Sequence, residues 1–334
     1  MVIYKNMEIH GAEEIFRKNG GVSFMRMPEK LHGCLTEPGL KAVRRPGGCE
    51  IRFVPEGEVY VTISAADDDA YSNLTVYYGS MQRGTLWSGN AIVGKTPRRL
   101  RFCPSPAAEF LGELSEREKY PFSPEVVRIV CDGTPIVIHS VEGKLRPPTP
   151  EEKPAKTMLF YGSSICHGAA ASAGDLFWPF RTAAKLGIDH INLGMPNAGI
   201  YQHGMADFIA SRTDWDYLFL EIGINFYCDP YEVQKERTEY MLKTVRAAHP
   251  DKYIFCTDIF CARCVQGEMK EHMDGVRKTI RDAVLSQKDE RIVYINALDI
   301  MGSDTLLSED RVHPSTEGHI TISDNLYKAL KKYF

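Results

Sequence analysis

From Met158 to the C-terminus, short apolar runs alternate with helix-patterned runs, and few folds accept that order. MLFYG (158–162), HINLG (190–194), YLFLEIG (217–223), YIFCTDIF (253–260) and VYINALDI (293–300) are too short and too evenly apolar to be surface helices. Between them, FWPFRTAAKLG (177–187), EVQKERTEYMLKTVRAAH (232–249) and the closing ISDNLYKALKKYF (322–334) read as helices. In the second of these, Val233, Tyr240, Leu242, Val245 and Ala248 fall on one face, and Pro250 supplies a stop. Buried strands alternating with helices predict a parallel sheet covered on both faces, of flavodoxin-like three-layer α/β/α form. Such sheets bind ligands beyond the carboxyl ends of their strands.

The first half obeys another rule. EIRFV (50–54), EVYVTISA (58–65), NLTVYYG (73–79), RRLRFC (98–103), EVVRIV (126–131) and PIVIHS (135–140) are β-branched or alternating runs, punctuated by Gly, Pro and Asp. Short strands at this spacing predict an antiparallel all-β sandwich or jelly roll. The stretch SVEGKLRPPTPEEKPAKT (140–157) mixes Pro with charge and has no apolar period, as linkers do. The expected division is therefore an accessory β-sandwich over 1–148, a linker over 149–157 and an α/β domain over 158–334. Neither an internal repeat nor a low-complexity tract interrupts it.

Charge and cysteine usage narrow the setting. A net charge of -4 gives no broad basic field, so nucleic acid is excluded as the main partner. No apolar run is long enough to cross a bilayer, so no membrane partner is expected. The N-terminus MVIYKNMEIHGAEE has no signal-peptide core, and the nine cysteines are odd in number and scattered. A reduced, cytoplasmic protein is the expectation, with a homo-oligomer allowed.

Four small features fall at or just after the predicted strand ends: Gly162-Ser163-Ser164, the loop Gly194–Gly199, Gly223-Ile224-Asn225 and Asp310-Arg311-Val312-His313. Together they hold the parts of an acyl-transfer site. A serine hydroxyl is a weak nucleophile without a base, and His313 can take its proton. The base needs a carboxylate to fix its tautomer, and Asp310 can fold back onto the ring within one turn. A tetrahedral oxyanion needs fixed donors, which the amides of Ser164 and the 194–199 loop and the Asn225 side chain can supply.

The order GSS … NLGxxN … GIN … DRVH resembles the SGNH (GDSL-type) hydrolase superfamily, across the whole region from about Met158 onward. The strand-rich first half resembles the jelly-roll module that some bacterial members carry, often those acting on carbohydrate esters. The resemblance implies Ser164 as nucleophile, His313 as base, Asp310 as its orienting partner, and Ser164, Asn197 and Asn225 as the oxyanion hole. It departs from the family pattern twice. Ser163 stands where aspartate is more usual, and Asn197 stands where a glycine is expected. Asparagine tolerates left-handed backbone, so its N–H can still donate, with Gly194 and Gly199 as alternative donors.

Each residue also has an ordinary reading. A Ser-Ser pair at a turn commonly caps a helix, Asp310 could cap one near Val312, and Cys166 suits a small core position. His167 is an alternative base that better suits lining the pocket or packing. Tyr201, Phe226 and Tyr227 follow the loop blocks and are expected to join His167 around the substrate. Cys261-Ala262-Arg263-Cys264 lacks the second ligand pair of a structural zinc site, so neither metal nor organic cofactor is expected. The expected activity is a serine esterase cleaving short acyl esters, O-acetyl groups above all, from a small molecule or carbohydrate. Acyl transfer to another acceptor stays open. The competing reading is a carbohydrate-binding protein with a degenerate hydrolase domain.

Overall fold

A computed structural model describes residues 2–83, 90–265 and 267–334. Its second half is a five-stranded parallel sheet in the order Asp189–Asn192, Thr157–Tyr161, Tyr217–Glu221, Tyr253–Thr257, Ile292–Ile295. Numbered along the chain this is 2-1-3-4-5, the flavodoxin-like order, whose switch point lies between the first and third strands. Helices Trp178–Leu186 and Thr316–Leu330 pack on each other, while His203–Ser211, Tyr231–Ala248 and Lys270–Leu285 pack in succession. The three-layer expectation holds. The interiors of the first four strands in that order are buried, whereas Val293, Tyr294 and Ile295 of the edge strand are half-buried.

The first half is antiparallel throughout and is organised by one long strand, Glu50–Ala65. Its start pairs with Met7–His10 and Val127–Val130, and its later part pairs with Arg98–Phe102 and Ile136–Arg146. The runs expected as two strands at 50–54 and 58–65 are therefore one. A bulge opposite Lys144, between the pairs Leu145–Pro55 and Gly143–Val59, absorbs the Pro55–Glu58 stretch that looked like a break. Residues 140–146 read as linker but are strand, because Glu50–Ala65 gives them a partner that their polar composition conceals. The rest of the connection is short and fixed, with Arg146 bidentate to Glu152 at 2.7 Å on both arms.

The described residues form two hydrophobic cores. One lies within the antiparallel half and the other around the parallel sheet. The second also takes in Met25, Met27, Leu31, Ala42 and Val43, so the packing does not divide where the chain does. Arg26 seals this intrusion. Fully buried, it donates to the carbonyls of Ala42, Arg45, Asn192 and Gly194, and with no carboxylate partner among the described residues its pKa is pulled down to about 10 by burial.

Candidate active site

The first strand ends at Tyr161, and Gly162 follows because no side chain fits: a Cβ there would lie 2.5 Å from the Glu221 carboxylate. Ser163 caps the single helical turn Ser164–His167, its hydroxyl accepting from the Ile165 N–H at 3.0 Å. Its own N–H donates to Glu221 Oε2 at 2.7 Å. The capping role thus belongs to Ser163 and leaves the Ser164 hydroxyl uncommitted to the turn. Gly168 closes the turn at φ +108°, with Phe177 packed where a Cβ would project.

Across from this turn lies the segment 307–314, closed by the Ser308 N–H donating to the His313 carbonyl at 2.8 Å. Arg311 takes left-handed backbone, φ +59°, which brings His313 back over Asp310. The His313 ring spans the two remaining groups, Nδ1 lying 2.6 Å from Asp310 Oδ2 and Nε2 lying 2.7 Å from Ser164 Oγ. Asp310 Oδ1 accepts from the Val312 and His313 N–H groups and from the Ser308 hydroxyl, at 2.8–2.9 Å. Burial opposes ionisation of Asp310, but the His313 side chain and these donors outweigh it and hold the carboxyl far below its ordinary range. Asp310 caps no helix; the next one starts at Thr316 with Ser315 as its cap.

Donors for an oxyanion can be found by asking where each loop N–H goes. In the 194–199 loop, Gly194 donates to Asn192 Oδ1, Met195 to the Gly162 carbonyl, and Ala198 to the Met195 carbonyl. Gly199 donates to both the Met195 carbonyl and Asn225 Oδ1. Pro196 has no N–H, so Asn197 holds the loop's one uncommitted donor among the described residues, and the N–H of Ser164 is likewise unpaired. Asn197 adopts the left-handed conformation, φ +55°, that permits it to stand in for glycine. Gly194 and Gly199, the alternative donors, are already engaged. Asn225 receives the Gly199 N–H on its oxygen at 3.0 Å, which fixes the flip of its amide and turns the nitrogen to the other side.

Ser164, His167, Asn197 and His313 line a cleft of about 1010 Å³ that is walled on its other side by the antiparallel half. The expected aromatic wall is not there. Tyr201 is fully buried, its hydroxyl donating to the Glu221 carbonyl at 3.0 Å, and Phe226 packs beside it in the core. Tyr227 is half-buried beside His272, away from the cleft. Apolar residues after a loop block are claimed by the sheet's core before they can serve a pocket. His167 does reach the cleft but is almost wholly buried, packed against Gly47 and Gly133. Burial and then the charges of Arg26 and Arg45 keep its ring neutral, and burial likewise pushes the Cys166 thiol up, out of reach of thiolate chemistry.

Two groups around the site gave no sequence signal. Glu221 ends the third strand beneath Ser163, nearly inaccessible, and burial raises its carboxyl to about 7. His319, buried behind the Ser164 turn, has Nε2 at 3.0 Å from the Ala169 carbonyl, and burial lowers it to about 4. Their burial follows from contacts about 60 and 150 residues apart, which no local pattern encodes. Among the described residues, His10, Asp189 and His190 bring ligand atoms within 4.8 Å of one another. Asp189 is nevertheless committed to Arg52 through two 2.7 Å bonds, and His190 Nε2 to the Gly48 carbonyl. Cys34, Cys49, Cys103, Cys131, Cys166, Cys228, Cys256 and Cys264 are free thiols. No helix of the described residues is long and apolar enough to cross a membrane.

Comparison with known proteins agrees with this architecture. Residues 155–331, more than half the chain, match the GDSL-like lipase/acylhydrolase family. No curated protein matches the chain in sequence. Among solved structures, a salicylyl-acyltransferase from a tetracycline biosynthetic pathway superposes with a TM-score of 0.76 at 14% identity, covering 98% of this chain and 95% of that one. A family two carbohydrate esterase from Cellvibrio japonicus gives 0.62 at 11% identity, with 98% and 95% covered. An acetyl xylan esterase from Butyrivibrio proteoclasticus gives 0.56 at 10%, with 99% and 96% covered. These likenesses span both halves of the chain and establish a shared fold.

Proposed function

The chain belongs to the GDSL-like lipase/acylhydrolase family, and we propose that this ester hydrolase cleaves short-chain acyl esters, acetyl esters foremost, through an acyl-enzyme on Ser164. One observation carries the reading: the His313 ring bridges Ser164 Oγ at 2.7 Å and Asp310 Oδ2 at 2.6 Å, the arrangement that a serine needs to become a nucleophile.

In the first half-reaction His313 Nε2 accepts the Ser164 proton as Oγ attacks the ester carbonyl. Asp310 holds Nδ1–H and stabilises the imidazolium that forms. The N–H groups of Ser164 and Asn197 and the Asn225 amide receive the oxyanion. The imidazolium then passes its proton to the departing alcohol. Water, deprotonated by His313, attacks the acyl-enzyme and returns Ser164 to its starting state.

The carbohydrate part of the reading is supported more thinly. Two neighbours of the same two-part architecture are described as a carbohydrate esterase and an acetyl xylan esterase, and the roomy cleft would admit a sugar-sized alcohol. The alternative of a degenerate, carbohydrate-binding domain is disfavoured by the unbroken Ser164–His313–Asp310 line. Hydrolysis of p-nitrophenyl acetate tests the proposal: Ser164→Ala should lose about 10⁴–10⁶ in kcat, and equal rates for the two proteins would refute it.

A further inference from the structure

The cleft above Ser164 is not electrically neutral in its detail. Four cations of the antiparallel half reach it: Lys18, Lys41, Arg44 and Arg45. Three carboxylates reach it as well, and each is occupied. Glu37 pairs with Lys41 at 3.0 Å, and Asp67 lies 3.6 Å from Lys18. Asp132 accepts from the Asn73 and Thr134 N–H groups and the Ser72 hydroxyl, its charge turned inward on the loops. Arg44 and Arg45 are exposed and have no carboxylate partner among the described residues; Arg44 only stacks over the Phe16 ring at 5.3 Å. A planar guanidinium offers paired donors that match an oxygen acid.

Their place is fixed from beneath. Arg26 anchors the Ala42 and Arg45 carbonyls to the same loop that carries Asn197, and Gly47 packs against the ring of His167, one turn after Ser164. His167 itself lines the cleft, its buried ring lying against the Arg45 backbone. A backbone secured this firmly presents its two arginines to the cleft on a rigid base, where loose surface cations would wander.

We propose that the cleft takes an ester whose substrate carries an anionic oxygen-acid group, carboxylate or phosphate, and that Arg44 and Arg45 hold that group while Ser164 faces the acyl carbonyl. The inference rests on the ester-hydrolase reading and deepens it by naming a charge class for the substrate. Binding is non-covalent, so the acyl chemistry is unchanged.

Three acetyl esters of one ring system test it on the full chain: phenyl acetate, 4-acetoxybenzoate and 4-acetoxyphenyl phosphate, each kcat/KM divided by that ester's alkaline hydrolysis rate. At low salt the wild type should favour at least one anionic ester over phenyl acetate by roughly tenfold, as two exposed charge pairs allow, and high salt should shrink the preference. The carboxylate and phosphate arms show which oxygen acid is preferred. Arg44→Gln with Arg45→Gln should bring the ratio to about one, and the corresponding pair of glutamates should invert it. A wild type with no anionic preference, or a preference that the double variant keeps, overturns the anion site and leaves the esterase standing. Phenyl acetate hydrolysis that survives in Ser164→Ala, or a wild type that cleaves none of the three, overturns the esterase reading and the anion site with it.

Discussion

At the scale of single residues, Asp310 and Glu221 show two carboxyls driven in opposite directions. Asp310 is half-exposed and held ionised by its donors. Replacing it by Asn keeps the shape but favours the wrong His313 tautomer, so Asp310→Asn should cost about 10⁴ in kcat; steady-state rates on p-nitrophenyl acetate decide this. Glu221 is buried beneath the nucleophile turn with a carboxyl raised to about 7. A carboxyl raised on folding contributes stability that is full below its unfolded value, near 4.5, and is lost as pH climbs through about 7. The buried His167, His190 and His319, whose pKa burial lowers, add stability over part of the same window but are common to wild type and variant. In urea unfolding, Glu221→Gln should therefore gain stability relative to the wild type as pH rises from about 4.5 to about 7; identical pH profiles would contradict the assignment. Asn197 offers a third case. Its backbone is already glycine-like and its N–H is the proposed donor, so Asn197→Gly should keep kcat within a few-fold, whereas a large loss would mean that the side chain acts. The candidate residues Ser164, His313, Asp310, Asn225 and Asn197 could be picked out in the sequence because they sit in short blocks at strand ends, and the structure brings Ser164, His313 and Asp310 into contact. Glu221 could not be, because Glu in an apolar run looks like a strand terminus until the 2.7 Å bond to Ser163 is seen.

At the scale of elements, the site is an intersection of strand ends. The turn after the first strand, the loop after the second and the turn after the third meet at Gly199. A Cβ there would lie 2.4 Å from the Gly162 carbonyl. Gly199→Ala should push the Ser163–Ser164 turn away from His313 and Asn225, and a misplacement of about 1 Å can cost on the order of 10² in rate. Near-native activity with an unchanged melting temperature would show that the loop yields freely. The parallel strands were readable because burial on both faces forces an unbroken apolar run. The long Glu50–Ala65 strand and residues 140–146 were not, since a bulge and a partner strand decide their structure. Helix Ala108–Glu118 has no fully buried residue, and its short stripe of Phe110, Leu111 and Leu114 is weak against its charged remainder, with Leu111 packed partly on the core. The aromatics Tyr201 and Phe226 misled for the converse reason: their sequence neighbours were site residues, but their side chains belong to the core.

For the molecule as a whole, the two halves are joined by buried polar contacts that local patterns cannot foresee. Arg52 reaches Asp189 with two 2.7 Å bonds and also holds Glu50, which in turn holds Arg128. Asp175 accepts from Thr75 and Tyr77 across the same boundary. Removing one partner strands a buried charge, so Asp189→Ala should destabilise the protein by roughly 3–5 kcal/mol, measured by urea unfolding; a change under about 1 kcal/mol would mean that water replaces the pair. The linked halves also explain why the cleft is built from both: the proposed catalytic groups come from the parallel-sheet half and the opposing wall from the antiparallel one. All of this converges on one hydroxyl. Labelling the native protein with a fluorophosphonate and mapping the adduct by peptide mass spectrometry tests that claim directly. The account predicts modification at Ser164, absent in Ser164→Ala and strongly slowed in His313→Ala. An adduct on Ser163 or Cys166, or labelling that survives Ser164→Ala, would contradict it.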